Sequence, residues 1–333
     1  MASTAHSHVP TERLHTSTIH CTVIRRPTIP PRVPRHHVQS PMNDLPHVDG
    51  VQHRFIQARG LRFHVATAGS GPPLLLVHGW PQHWYMWRHQ IPELARHFAV
   101  YCVDLRGLGW SDAPPSGYEK ENMADDLLAV LDALELPRVA MAGHDWGGWI
   151  GFLACIKAPH RFSRYVALNI PHPFIRFSPD PSTIFSLWYQ ALIASPFAGP
   201  MALRRKPGFT ELSFRTSMHH QPLSDADVEI YASRLRQPAR ARASQQIYRT
   251  FITGELWGVL NGRYRTQRLT VPTLVLFGKD DVAISTRLLD GLDEFADDAR
   301  IEFVDHAGHF IAEEQPELVA QRLMEFLGDV NSH

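Results

Sequence analysis

The chain has 333 residues, 44% of them hydrophobic, with 33 basic and 33 acidic side chains and a formal net charge of zero. This length accommodates one large domain with an insertion or two domains, and the balanced charge argues against electrostatic binding to nucleic acid or to an anionic membrane. No apolar run reaches the ~18 residues of a membrane span, there is no continuous hydrophobic stretch at the N-terminus, and three cysteines do not make a disulfide framework. We therefore expect a cytoplasmic protein, monomeric or homodimeric, with no membrane span.

Residues 1–45 differ in composition from the rest of the chain. They are rich in Pro, His, Ser, Thr and Arg, they lack aromatic side chains, and their only acids are Glu12 and Asp44. Such a segment cannot bury enough apolar surface to fold, so we predict a disordered extension, with Met42 as an alternative start. Six histidines in it follow no metal-ligand spacing, and we expect no metal site there: His6, His8, His15, His20, His36 and His37.

From Val51 the chain alternates between short apolar runs and helical patterns. A predicted hairpin joins 54–57 to 61–68 around Gly60. Further strands are predicted at 74–77, 100–103, 139–142, 165–169, 274–277 and 301–304, and helices at 84–95, 123–134, 149–157, from Ser285 onward, and at 316–327. This alternation indicates an α/β fold with a mostly parallel, doubly wound sheet covered on both faces.

The alternation stops near Ile170 and resumes at the 274–277 strand. The residues between them hold helical stretches broken by proline, including a helix from Ser224 to Leu235 that begins with a Ser224/Asp227 capping box. We therefore predict a core formed by residues 51–169 and 270–330. Residues 170–269 form a helical cap over the catalytic end of the sheet.

The hexapeptide Gly143–Gly148 lies between the 139–142 strand and the 149–157 helix. A strand, a tight turn flanked by glycine and a helix form the setting of a nucleophile elbow, where the central side chain stands above the strand end. That position usually carries Ser, but here it is Asp145. A carboxylate in this position indicates nucleophilic displacement at carbon, although Asp145 could also simply cap the helix.

Two further chemical groups follow the last two predicted strands. Asp280 and Asp281 come after 274–277, and His306 and His309 come after 301–304. Ligands in doubly wound sheets bind beyond the carboxyl ends of the strands, so an acid and a histidine here are candidates for a pair that activates water.

The chain from about Val51 to Val330 resembles the α/β-hydrolase superfamily and, within it, the epoxide hydrolases. The resemblance rests on four stretches: His78–Pro81, Asp104–Asp112, Gly143–Gly148 and Gly308–His309. It implies the chain order nucleophile, acid, histidine. Asp281 fits the acid better than Asp280, and His309 fits the base better than His306.

The same resemblance implies an oxyanion hole built from backbone N–H groups. Trp80 in the His78–Pro81 stretch would supply one N–H group, and Trp146, directly after the nucleophile, the other. The resemblance also implies a cis bond between Trp80 and Pro81.

Two cap segments resemble those that carry epoxide-binding tyrosines. They contain Tyr189, in Trp188–Gln190, and Tyr248, in Gln246–Arg249. Opening an epoxide develops an alkoxide, and a phenol O–H can donate a hydrogen bond or a proton to it. The resemblance thus implies hydrolysis of a small apolar epoxide by water, without metal or cofactor. The apolar character is also suggested by tryptophans near the two motifs: Trp80, Trp84, Trp87, Trp146 and Trp149.

Two other functions are compatible with parts of this pattern. A haloalkane dehalogenase also uses an Asp nucleophile followed by Trp, but such enzymes place Asn where Trp80 stands and lack the paired cap tyrosines. A binding protein on an inactive hydrolase fold is the second alternative. It is disfavoured because Asp145, Asp281 and His309 are all present.

Overall fold

The computed structural model describes residues 44–175, 181–218 and 220–328, with only the backbone for 181–187. The predicted extension at 1–45 and the start at Met42 lie almost wholly outside the described residues. Eight strands form one sheet in the order β1-β2-β4-β3-β5-β6-β7-β8. The strands are β1 (Gln52–Ala58), β2 (Leu61–Ala68), β3 (Pro73–Val77), β4 (Ala99–Val103), β5 (Val139–His144), β6 (Phe162–Leu168), β7 (Thr273–Gly278) and β8 (Ala299–Val304).

The sheet is mostly parallel, as predicted. β2 pairs antiparallel with β1 and β4, and all other neighbours are parallel. Every predicted strand is present, with ends that differ by no more than three residues. Side chains of β5 alternate between two apolar clusters, with Met141 in one and Ala140 and Ala142 in the other, so the sheet is covered on both faces.

Helices cover the sheet and also fill the interval between β6 and β7. The helices are α1 (Ile91–Leu94), α2 (Lys120–Ala133), α3 (Trp146–Lys157), α4 (Pro181–Ala194), α5 (Ala198–Arg204), α6 (Phe209–Ser217), α7 (Asp225–Leu235), α8 (Pro238–Thr250), a π-helix (Phe251–Glu255), α9 (Leu256–Leu260), α10 (Ile311–Glu314) and α11 (Pro316–Gly328). Of the predicted Ser224/Asp227 capping box, the Ser224 half is present, since its hydroxyl accepts the N–H of Asp227 at 3.1 Å. The Asp227 carboxylate instead accepts the Ser224 hydroxyl at 2.6 Å.

Two helix predictions were wrong. The predicted helix at 84–95 is a short 3₁₀ helix, Trp84–Trp87, followed by a separate α1. Pro92 in the first turn of α1 has no N–H and clashes with a preceding turn, so a continuous helix cannot form. The predicted helix from Ser285 is two 3₁₀ turns separated by Gly291, whose φ of 83° interrupts a right-handed helix.

The parallel register brings the carboxyl ends of the central strands to one edge. Val77 pairs with Gly143, and His144 pairs with Leu168. The residues after β3, β5 and β6 therefore meet at this edge, where the loops after β7 and β8 also arrive.

Candidate active site

Asp145 occupies a strained turn between β5 and α3. Its φ of 49° and ψ of −126° lie outside the regions that residues with a Cβ prefer. Neighbouring glycines allow the turn: a Cβ on Gly143 would lie 2.7 Å from the Gly147 carbonyl oxygen, and one on Gly148 would lie 2.5 Å from the Ile170 side chain. This tight turn places the Asp145 carboxylate above the edge of the sheet.

A backbone N–H group binds this carboxylate. The N–H of Trp80 donates to Asp145 Oδ1 at 2.8 Å, and Asp145 is 5% exposed. Trp146 is the first residue of α3, where the backbone N–H groups have no partner within the helix. The Trp80–Pro81 bond is cis, as the resemblance implied.

His309 lies between two carboxylates. Its Nδ1 is 2.9 Å from Asp281 Oδ2, and its Nε2 is 3.7 Å from Asp145 Oδ2. Asp281 Oδ1 also accepts the N–H groups of Ala283 at 2.7 Å and Ile284 at 3.0 Å. These contacts hold the Asp281 carboxylate in place facing His309.

The charge of these carboxylates favours a proton on His309. Burial alone would lower the pKa of His309, but Asp281 and Asp145 outweigh it and raise this pKa above its ordinary value of 6.5. The resting site therefore holds an imidazolium between two carboxylates.

Asp280 and His306, the weaker candidates, lie elsewhere. Asp280 Oδ2 is 2.7 Å from Nε2 of His220, and the His220 and His306 rings are 5.3 Å apart. These three exposed side chains place possible metal-ligand atoms within 4.8 Å of one another, and none of them contacts the pocket described next. The structure thus places Asp281 and His309 together in the site, and their neighbours Asp280 and His306 outside it.

A largely apolar cavity of about 250 Å³ opens beside His309. Tyr189 and Tyr248 both line it, with ring centroids 6.2 Å apart. Burial raises the pKa of both phenols, and the negative charge of Asp145 adds to the effect. Both phenols therefore keep their protons and can donate hydrogen bonds. The remaining walls are formed by Trp80, Pro81, Trp188, Phe209, Leu212, Ser213, Thr216, Ser217, Val282, Ala283 and Phe310.

Few of the tryptophans near the motifs line the cavity. Trp80 does, but Trp84 and Trp87 are fully buried in the core beside the sheet. Trp146 packs edge-on against Tyr248, with ring centroids 5.5 Å apart. Of the five tryptophans near the motifs, Trp80 alone is among the residues that line this cavity, and the others pack in the core.

Two residues that sequence reasoning missed support the site. Asn169, at the end of β6, donates from Nδ2 to Asp281 Oδ2 at 2.7 Å and accepts the N–H of Gly278 at 3.3 Å. His144 Nε2 donates to the His309 carbonyl oxygen at 2.8 Å, and burial lowers the pKa of His144 to about 4, so this ring is neutral. The available signal was their location, because each is a polar residue that ends an otherwise apolar strand.

A family model and a curated relative both match most of this chain. Residues 72–316 match the model of the alpha/beta hydrolase fold family. A curated relative, the soluble epoxide hydrolase of Corynebacterium sp. (strain C12), is 32% identical, and the match covers 83% of this chain and 97% of the relative.

Solved structures agree on the fold. The structure of the epoxide hydrolase CorEH without ligand is 28% identical, with a TM-score of 0.76, covering 84% of this chain and all of that one. A putative acyltransferase from Salmonella enterica is 27% identical, with a TM-score of 0.77, covering 86% of this chain and 98% of that one. Because one fold carries several activities, the site must decide between them.

No helix within the described ranges is long and apolar enough to cross a membrane. The family model covers most of the chain, and the Corynebacterium relative is matched almost end to end. The chain therefore belongs to the α/β-hydrolase fold family and, within it, to the epoxide hydrolases.

Proposed function

We propose that this enzyme opens a small apolar epoxide to a vicinal diol through a covalent ester on Asp145. The observation that carries the proposal is the pair of phenols, Tyr189 and Tyr248, which line the same cavity as His309 and whose pKa values the charge of Asp145 helps to raise. A carboxylate can attack carbon, and two O–H donors can stabilise the oxygen that the attack releases.

In the first step Asp145 Oδ2 attacks an epoxide carbon. Oδ1 accepts the Trp80 N–H at 2.8 Å, whereas Oδ2 is 3.7 Å from His309 Nε2, so we assign the attack to Oδ2. The C–O bond of the ring breaks, and the departing oxygen takes a proton from the phenol pair. The imidazolium of His309 restores that proton, which leaves a neutral ring.

In the second step His309 acts as the base. Esterification removes the charge of Asp145, one of the two carboxylates that raise the pKa of His309. The neutral ring, held by Asp281, takes a proton from water, and the hydroxide attacks Cγ of Asp145. The N–H groups of Trp80 and Trp146 hold the resulting oxyanion on Oδ1. Collapse breaks the Cγ–Oδ2 bond, and the departing alkoxide takes the proton of the new Asp145 carboxyl group. The diol leaves, and the carboxylate is restored beside the imidazolium that formed when His309 took the proton from water.

In this proposal residues 170–269 act as a cap that supplies both phenols, and residues 51–169 and 270–330 supply the nucleophile and the water-activating pair. No metal or cofactor takes part. The cavity has apolar walls, formed for example by Phe209 and Leu212, which supports an apolar substrate.

A haloalkane dehalogenase would use the same nucleophile on a different leaving group. A departing halide needs N–H donors and no proton, whereas a departing alkoxide needs a proton. Tyr189 and Tyr248 therefore support the epoxide, and a halide-release assay on chloroalkanes tests the alternative.

A single turnover on styrene oxide in ¹⁸O-water tests the covalent route. The hydroxide attacks Cγ, so the first diol should contain no label and the label should appear in Asp145. Label in the first diol would refute the ester mechanism. Chloride release from a chloroalkane, together with no diol from styrene oxide, would instead favour the dehalogenase.

A further inference from the structure

Lys120 is an unusual lysine, because its side chain is fully buried at the first position of α2. A cation at a helix N-terminus opposes the helix dipole, and a buried ammonium is costly unless it is paired. Where a sequence breaks local rules in this way, a functional reason is expected.

The ammonium group joins α2 to α8, which carries Tyr248, and to the π-helix that follows α8. It donates to Glu255 Oε2 at 3.0 Å, to the Ile247 carbonyl oxygen at 2.7 Å and to Thr250 Oγ1 at 3.1 Å. Glu255 also accepts the backbone N–H of Lys120 at 2.7 Å, so it caps α2 from the π-helix. The Lys120 ammonium and the Glu255 carboxylate are thus both hydrogen-bonded between α2 and the π-helix.

The bond to Ile247 lies where the helix changes type. In a regular α-helix the Ile247 carbonyl would accept the N–H of Phe251, but that N–H donates to Tyr248 instead. The π-helix starts at Phe251, and such segments are frequent at functional sites. Lys120 therefore supplies a donor to the carbonyl directly before Tyr248.

The same ammonium also contacts the ring next to the nucleophile. Lys120 Nζ lies 4.9 Å from the centroid of Trp146, and the Trp146 ring packs edge-on against Tyr248 at 5.5 Å. Lys120 thus touches both the backbone that carries Tyr248 and the ring that supports it.

We propose that Lys120, paired with Glu255, is a positioning residue that fixes the phenol of Tyr248 above Asp145. The pair ties the end of α8 to the start of α2, so that its loss lets Tyr248 shift while the fold persists. This inference rests on the proposed function, in which Tyr248 acts only while the ester forms.

Three variants test the role of this pair: Lys120→Met, the double variant Lys120→Met/Glu255→Gln, and Lys157→Met as a control. Lys120→Met alone leaves the Glu255 carboxylate buried without its partner. The double variant removes both charges, and replacing a buried ion pair with uncharged groups is often neutral for stability. Lys157 pairs with Asp125 on the exposed side of α2 and contacts nothing in the cavity.

Each variant is given one turnover of styrene oxide, quenched in acid over a time course and weighed as intact protein. We expect ester formation to slow by about 10- to 100-fold in Lys120→Met and in the double variant, because a displacement of ~1 Å costs up to ~10² in rate. Ester decay should keep the wild-type rate, and Lys157→Met should match the wild type in both steps.

A double variant that recovers both the melting temperature and the rate of ester formation would overturn the proposal, because the pair would then serve stability alone. Equal slowing of formation and decay would overturn it too. Wild-type protein that forms no ester on any epoxide would reject the proposed function and this inference with it. If the wild type and the double variant form the ester at the same rate, the positioning role of Lys120 is rejected and the proposed function stands.

Discussion

Replacing Asp281 with Asn changes one atom and reverses the hydrogen bonding around His309. Asp281 Oδ1 accepts the N–H groups of Ala283 and Ile284, and Oδ2 accepts from Asn169 at 2.7 Å and from His309 Nδ1 at 2.9 Å. All four contacts are donors to a carboxylate. An amide can place only one acceptor there, so its NH₂ group must face donors on one side.

The favoured orientation of this Asn keeps its oxygen toward the two backbone N–H groups and turns its NH₂ group toward His309. The imidazole must then accept at Nδ1 and carry its proton on Nε2, which is the wrong tautomer for taking a proton from water. The same exchange in a serine-protease triad costs about 10⁴ in rate, and we expect a loss of ~10³–10⁴, or about 4–5 kcal/mol, in ester hydrolysis.

Rapid quenching followed by intact-protein mass spectrometry separates the two steps. Asp281→Asn should form the ester within about tenfold of the wild-type rate and then accumulate it, as a mass increase equal to the substrate. Asp280→Asn is the matched control, since Asp280 contacts His220 and lies outside the cavity. An ester that decays at the wild-type rate in Asp281→Asn, or accumulates equally in the control, would refute this account of His309.

Three other changes have distinct expected outcomes. Tyr248→Phe removes one donor to the developing alkoxide, and ester formation measured by quenched flow should slow by about 10²–10³. His309→Gln removes a cation held between two carboxylates, so urea unfolding should show a stability loss. That loss is largest below pH 6.5, the ordinary pKa of histidine, and shrinks as pH rises through the raised pKa of folded His309. Gly79→Ala places a Cβ 2.5 Å from Asp145 Oδ1, and diol formation should fall by about 10² or more.

Two of these changes have a control variant, and the third has a result that would contradict it. Tyr264→Phe removes a phenol that donates to Glu121 away from the cavity, and ester formation should be unchanged. Gly254→Ala adds a Cβ with nothing within 4 Å, and activity should be kept. A stability loss in His309→Gln that stays constant from pH 6 to alkaline pH would show that His309 is not protonated in the resting site.

The central strands β3, β5 and β7 were predictable because each is a short apolar run whose burial is nearly complete. β7, for example, is buried at every position, so hydrophobicity alone marks it. Helices near prolines and glycines were harder to predict. The stretch at 84–95 has helical periodicity, yet Pro92 divides it, and tertiary packing then decides what each half becomes.

Some contacts of the candidate site could be predicted from the sequence, and others depend on tertiary structure. The motif spacing was enough to predict that Asp145 and His309 lie at one sheet edge, because parallel strands bring their ends together. The contact of Asp281 rather than Asp280 with His309 is a matter of loop geometry, set by the N–H groups of Ala283 and Ile284. The Lys120–Glu255 pair joins positions far apart in sequence, and no local pattern reports such a contact.

The two halves of the proposed chemistry reach the cavity from separate parts of the chain. Asp145 and His309 stand on loops of the sheet, whereas Tyr189 and Tyr248 come from helices inserted between β6 and β7. An insertion that begins and ends at neighbouring strands can be exchanged or lengthened without disturbing the loops that carry Asp145 and His309. Under the proposed function, a new substrate would therefore require changes only in the inserted helices, while the proposed hydrolysis of the ester stays with the loops of the sheet.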